Sequence, residues 1–351
     1  MPAYSSGSWE HRTAPIRFRE GSDVEQGEVG LMEDGDRQRL LAKEERLYHH
    51  QGLRQVEIAD RLRISQTRVS RLLQQAEAAG IVQTVVVPLV GLHSEVEEEL
   101  EARYSLAEVH VVDTVSDDDA ELSAELGAAA AAIFASMPVD VPVVGVTSWS
   151  RTLRHMIDAL RPVRTGTTTV VEMLGDLGPP HNQHEAARAT QHLASLAGAT
   201  PVFLSSPGVV SSAPVRMALL EHDAYARDAL HQLDALDLAL VGVGSCDIVP
   251  PLQAGNNYFS EEQLRDVVAA GAVGQICLRF LDAHGDPVSS PLDDLVTGVT
   301  LEQLRAAKRR WVVAGGRAKY AAIRAVLLGG WADTVVTDTA TARWLLAAPP
   351  A

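Results

Sequence analysis

The chain has 351 residues, 46% of them hydrophobic, and a formal net charge of −16, which is room for more than one core and makes two domains the expectation. No apolar run approaches the roughly 18 residues that a membrane helix needs, and the N-terminus lacks the basic and apolar regions of a signal peptide, so no membrane partner and a cytoplasmic location are expected. Cys246 and Cys277, far apart, form neither a disulfide framework nor a metal motif.

Residues 1–36 carry eight acidic side chains against three arginines, without periodicity, and read as a disordered leader. An amphipathic helix is expected from about Arg37 to Gln51, with Leu40, Leu41, Leu47 and Tyr48 on its inner side and Gly52 ending it. The stretch 55–73 then reads as a helix-turn-helix. Val56, Ala59 and Leu62 recur as an inner face, Val69, Leu72 and Leu73 form a second, and Arg63-Ile64-Ser65 breaks the pattern with Ser65 as N-cap. Gln66, Thr67, Arg68, Ser70 and Arg71 fall off the apolar face, and with Arg54 and Ser65 they are the candidate DNA contacts. Arginine pairs with guanine, glutamine with adenine, and small hydroxyls allow close approach to the major groove. Residues 37–87 hold nine basic and five acidic side chains, a net +4 within an acidic chain, as a polyanion-binding module would.

After Gly80, the β-branched run Ile81–Val87 resembles a strand or wing, so a winged DNA-binding domain is expected over 37–90. A linker helix follows over 91–105, its acidic face expected to be solvated. From 106 to 348 strands and helices alternate. Strands are expected at 109–112, 143–146, 169–174, 201–204, 238–243, 275–280, 311–314 and 334–337, with an Ala-rich helix over 120–136. That alternation implies a mostly parallel α/β sheet, whose ligands sit at the carboxyl ends of the strands.

Thr147-Ser148-Trp149-Ser150-Arg151-Thr152 follows such a strand and opens a helix, where hydroxyls, a cation and unpaired amides favour an anion. Val312–Lys319 repeats the arrangement with the pair Gly315-Gly316 and one of only three lysines, the others being Lys43 and Lys308. Gly242 ends another strand in small residues. Asp282 lies beyond a further strand, able to accept from sugar hydroxyls or simply to close the turn Asp282–Asp286. His181-Asn182-Gln183-His184 lacks a third ligand at credible spacing, so neither a metal nor another cofactor is expected.

These blocks resemble the SorC-type, or sugar-binding-domain, bacterial transcriptional regulators over about residues 40–347. Gly145–Leu153 is similar to that family's phosphate loop, and Gly271–Gly285, Ala314–Ile323 and Val335–Arg343 resemble further family stretches. The resemblance implies a Rossmann-like effector domain related to sugar-phosphate isomerases and CoA transferases, binding a phosphorylated sugar or polyol and assembling with itself as a dimer or tetramer. It implies that Ser148, Arg151 and Thr152 hold phosphate, that Lys319 reaches the same anion or the sugar, and that Asp282 faces hydroxyls. Trp149, Ser150, Gly242 and Gly315 complete the cradle, and Asn182 and Pro207 are weaker candidates from neighbouring loops. The family usually has glycine at the position of Ser150, so a Cβ there is expected to narrow the loop or alter its backbone angles.

The chain thus reads as a regulator of a carbohydrate operon that binds a double-stranded palindromic operator through paired recognition helices. Effector binding would turn the linker helix, and it shifts the equilibrium only if the two states bind the effector differently. The rival is a sugar-phosphate isomerase with an accessory DNA-binding domain; a third reading is a bare oligomerisation module. Asp282 and Lys319 make no acid–base pair whose spacing suggests turnover, so catalysis is not expected.

Overall fold

The structure is a computed structural model and describes residues 41–43, 46–78, 81, 93–116, 118–136, 140–162, 166–247, 252 and 255–349. The expected leader and nearly all of the expected wing lie outside the described residues. The chain divides into two compact units, Met1–Val87 and Pro88–Ala351.

In the first unit, residues 41–43 are helical and Arg46–His50 forms a π-type turn. Helices α1 (Gln55–Leu62) and α2 (Gln66–Ala78) follow. Leu47, Ile58, Ala59, Val69 and Leu73 form a small core, with Leu53, Leu62 and Ile64 packed against it. The inner face of α1 therefore runs through Ile58 and Ala59, not Val56, which is 53% exposed. Tyr48, expected inside, is exposed as well, because the chain around it is wound as a π-turn rather than a continued α-helix. Arg63 closes α1 in the left-handed region at φ 53°, with the Ile64 amide returning to the Ala59 carbonyl, and this turns the chain within three residues. Ser65 Oγ accepts from the Arg68 amide at 3.3 Å, fixing where α2 begins.

The second unit opens with α3 (Ser94–Tyr104). Its strands are β1 (Glu108–Val112), β2 (Val143–Val146), β3 (Thr169–Glu172), β4 (Thr200–Val202), β5 (Leu238–Val241), β6 (Val243–Gly244), β7 (Gly274–Ile276), β8 (Arg279–Leu281), β9 (Arg310–Val313) and β10 (Thr334–Asp338). Seven of them form a parallel sheet in the order β1-β10-β9-β5-β2-β3-β4, and β6, β7 and β8 form a small antiparallel sheet.

Both faces of the large sheet are buried, so its strands read as unbroken apolar runs. On one face, Leu238 and Leu240 of β5 and Trp311 and Val313 of β9 pack with α4 (Asp119–Ser136), α5 (Arg151–Ala159) and α6 (Pro180–Ala197) through Phe134, Met156, Ile157 and Leu193. On the other, Ala239, Val241 and Val312 pack with Leu100 and Tyr104 of α3, the small sheet, and the helices Tyr320–Leu328 and Thr339–Ala347.

The expected strand over 275–280 is corrected to the hairpin β7–β8. Cys277 and Leu278 both take positive φ, 51° and 61°, as a two-residue turn of the hairpin type requires, and the Leu278 amide is held by Gln275 Oε1 at 2.9 Å. Likewise the run 238–243 breaks at Gly242, where the chain leaves the large sheet for the small one.

The acidic face of α3 is not merely solvated. Glu101 Oε1 accepts from the Val109 amide and Glu97 Oε1 from the Val111 amide, each at 2.8 Å. β1 is the edge of the sheet, and carboxylates four residues apart on one helix face match alternate amides of the strand.

Candidate functional site

From β2 the chain passes to β3 and β4 on one side of the sheet, and from β5 to β9 and β10 on the other. The β2–β5 boundary is thus the topological switch point, the place where loops part and a ligand finds a crevice. The two loops at that boundary are stitched together. Thr147 N donates to the Leu240 carbonyl at 3.0 Å, and the Gly242 amide donates to Thr147 Oγ1 at 3.3 Å. A methyl group built on Gly242 would come within 2.5 Å of Ser150 Oγ, so Gly242 and Ser150 touch.

Ser150 is the N-cap of α5, its Oγ accepting from the Leu153 amide at 3.4 Å. Its φ of −70° and ψ of 118° are ordinary extended values that serine adopts without strain, and besides capping α5 its side chain fills the space against Gly242. Ser148 and Thr152 are almost fully buried, at 1% and 4% exposure, while Trp149 is half-buried against the core. Arg151 is the exposed member of the loop, and its Nη2 is paired with the Asp119 carboxylate at the start of α4.

The loop after β9 brings Lys319 to the same group. Burial holds its ammonium below the usual lysine range; Asp119 opposes that shift and Arg151 adds to it. Gly315 is packed under Asp338, and the Gly316 amide donates to Asp338 Oδ2 at 2.9 Å and to Thr341 Oγ1 at 3.0 Å. The glycine pair is expected to let backbone approach an anion closely; the Gly316 amide itself is taken by Asp338 and Thr341. What the loop offers an anion is the Lys319 cation.

Of the remaining candidates, Asn182 lies on the first turn of α6, its amide on the Pro179 carbonyl at 3.0 Å, and Pro207 bridges Asp176 in the loop after β4. Asp282 stands apart. Its Oδ1 accepts from the His284 and Asp286 amides at 2.9 and 3.0 Å, closing the turn, and Gly285 packs against Ala325 and Gly329. That is the far end of the helix Tyr320–Leu328 whose start carries Lys319, roughly 13 Å along its axis. Asp282 thus closes its own turn and does not join the anion cradle.

A cavity of about 530 Å³ lies near that turn, but Arg279 there is already paired with Asp293 at 3.2 Å and Arg305 lies over the Trp331 ring at 4.2 Å. Sequence reasoning missed Asp119. The run Asp117-Asp118-Asp119 ahead of the Ala-rich helix was its one visible mark, and charge alone does not tell an ion-pair partner from a helix cap.

The chain belongs to the family described as "Putative sugar-binding domain", whose model matches residues 90–347. It is 32% identical over 315 residues to the deoxyribonucleoside regulator of Bacillus subtilis, covering 89% of this chain and 99% of that protein. It is 26% identical to the sorbitol operon regulator of Klebsiella pneumoniae, over 90% of this chain and all of that one. Among solved structures, the sugar-binding domain of the regulator DeoR from Pseudomonas syringae pv. tomato is 32% identical with a TM-score of 0.57, covering 73% of this chain and 99% of that one. Full-length SorC from Klebsiella pneumoniae, 24% identical, shares the fold at a TM-score of 0.64 over 89% of this chain and 99% of that one. The chain is a transcriptional regulator, and the isomerase alternative finds no support among these relatives.

Proposed function

We propose that the chain controls a carbohydrate operon by binding operator DNA through residues 37–90 and a phosphorylated sugar or polyol through residues 106–348, with 91–105 as the connection. The observation that carries this reading is that the β2 and β9 loops meet at Asp119, whose carboxylate pairs with Arg151 and lies 3.9 Å from a methyl group built on Gly316, in the turn that leads to Lys319, beside a capped helix start. Two cations on a rigid sheet suit a phosphoryl group, and the names of the relatives favour a sugar to carry it. Arg151 and Lys319 supply the charge, while Ser148 and Thr152 shape the floor of the cradle. Trp149, Gly242, Asn182 and Pro207 border the sugar.

In the first unit, Gln66, Thr67, Arg68 and Arg71 are exposed on one side of α2, with Ser70 half-buried among them. Two such helices, brought together by self-association, would read the two halves of a palindrome. Arg54 and Ser65 sit at the starts of α1 and α2, where backbone phosphates meet helix ends. The experiment is a thermal-shift and calorimetric screen of phosphorylated pentoses, hexoses and polyols against their unphosphorylated forms. The expected result is stabilisation by a phosphorylated compound, lost in Arg151→Gln and Lys319→Gln, with no product formed. Equal binding of the unphosphorylated sugar would overturn the anion cradle; turnover would overturn the regulator.

A further inference from the structure

The cradle is not open as it stands. Asp119, the first residue of α4, sets a carboxylate against it and accepts from Arg151. Arg151 Nη2 reaches both that carboxylate and the Asp119 carbonyl, the latter at 3.3 Å. A methyl group built on Gly316 would lie 3.9 Å from Asp119 Oδ1, so the same carboxylate overhangs the turn that leads to Lys319. Lys319 follows on that turn, its amide on the Gly316 carbonyl at 2.9 Å, and its charge is supported by Asp119 and opposed by Arg151.

We propose that Asp119 is a resident competitor of the effector: its carboxylate occupies the place of the phosphoryl group between Arg151 and Lys319, and the effector binds by displacing it. The proposal rests on the anion reading of the cradle and adds its regulation. Two cations held close together repel, and a carboxylate from the chain itself offsets that repulsion while the site is empty. The pair with Arg151 is easily surrendered, since the two side chains are 43% and 55% exposed and exposed ion pairs are weak. A phosphoryl group brings a second negative charge and three acceptor oxygens, so it outbids one carboxylate. A carboxylate ligand carries no such advantage, and Asp119 therefore selects a phosphorylated effector over a carboxylated one. Displacement also frees the start of α4. The turn before it is built by Asp118, whose Oδ1 caps the Ala120 and Glu121 amides independently of Arg151, so the helix stays formed when Asp119 leaves.

The test titrates inorganic phosphate and a phosphorylated sugar into the full-length protein and its variants by calorimetry. Asp119→Asn is expected to bind inorganic phosphate up to about fivefold more tightly, with Asp119→Ser as a second variant. The gain should vanish when Asp119→Asn is combined with Arg151→Gln. Affinity equal to or weaker than the original chain's in both Asp119 variants, while Arg151→Gln and Lys319→Gln still weaken binding, overturns the competitor and leaves the cradle standing. Phosphate binding that is absent, or indifferent to Arg151→Gln and Lys319→Gln, overturns the cradle and the competitor with it.

Discussion

Glu172 ends β3 with its carboxyl buried, accepting from the Leu204 amide and Thr190 Oγ1, each at 3.0 Å. Burial pushes it up to about 7 from an ordinary 4.5, against those two hydrogen bonds and with help from the neighbouring Asp176. Between pH 4.5 and about 7 the unfolded chain has released this proton while the native chain keeps it. Stability is therefore fully present below that window, falls as pH rises through it, and levels off above. Glu172→Gln keeps an acceptor for Leu204, and Thr190 can turn its hydroxyl to the Ala186 carbonyl, 3.3 Å away, and accept from the new amide. The variant is expected to flatten the pH dependence, reducing the loss of unfolding free energy between pH 5 and 8 by roughly 2–3 kcal/mol. Denaturant melts across that range check it; an unchanged slope would assign the titration elsewhere. Ser150 and Gly242 make a second test at this scale. Gly242→Ala pushes a methyl group into the serine and should cost about 1–3 kcal/mol, most of it recovered by adding Ser150→Gly, which removes the obstacle. An additive pair of losses in thermal melts would mean that the two residues do not meet. Single residues were the least legible part of the sequence. Arg151 and Lys319 stood out because cations after strands are conspicuous in a lysine-poor chain. Asp119 and Glu172 did not, since their meaning lies in neighbours 18 to 32 residues away.

Elements were easier to read than their contacts. The alternation of apolar runs and amphipathic stretches predicts every strand of the large sheet to within about two residues, because strands buried on both faces must be apolar throughout. The hairpin β7–β8 was hidden because its turn uses Cys277 and Leu278 where glycine or asparagine would have announced it. The acidic helix α3 was misread for the opposite reason: its pattern looked like solvated charge, and only the fold shows that Glu97 and Glu101 meet an open sheet edge. That contact has a measurable consequence. Truncation by Glu101→Ala leaves the amide of the buried Val109 without its carboxylate, an expected cost of about 1.5–3 kcal/mol from a charged hydrogen bond. The variant should also lose hydrogen-exchange protection at Val109 before the rest of β1, and it should aggregate more readily through the uncovered edge. Protection at Val109 equal to that of the original chain would show that the pairing adds nothing.

At the scale of the whole chain, charge is distributed by task. Residues 37–87 carry +4 within a total of −16, and residues 88–351 alone carry −15. The acidic residues 88–351 repel DNA within a Debye length, roughly 8 Å at physiological salt, so the basic stretch 37–87 is the part suited to approach a duplex closely. Binding carried by phosphate neutralisation must then weaken with salt, with a slope of log K against log salt of about −0.9 for each phosphate contact. Arg68 and Arg71 project from the exposed side of α2, and each replaced by alanine identifies its own role. An arginine on a phosphate is expected to lower the slope by about one and to weaken all sequences alike. An arginine on a base edge should leave the slope nearly unchanged and relax the choice of base at one position by roughly 1–3 kcal/mol. Fluorescence anisotropy on operator and scrambled duplexes, from low to physiological salt, separates the two. Operator binding that neither falls with salt nor responds to either substitution would remove α2 from the DNA interface.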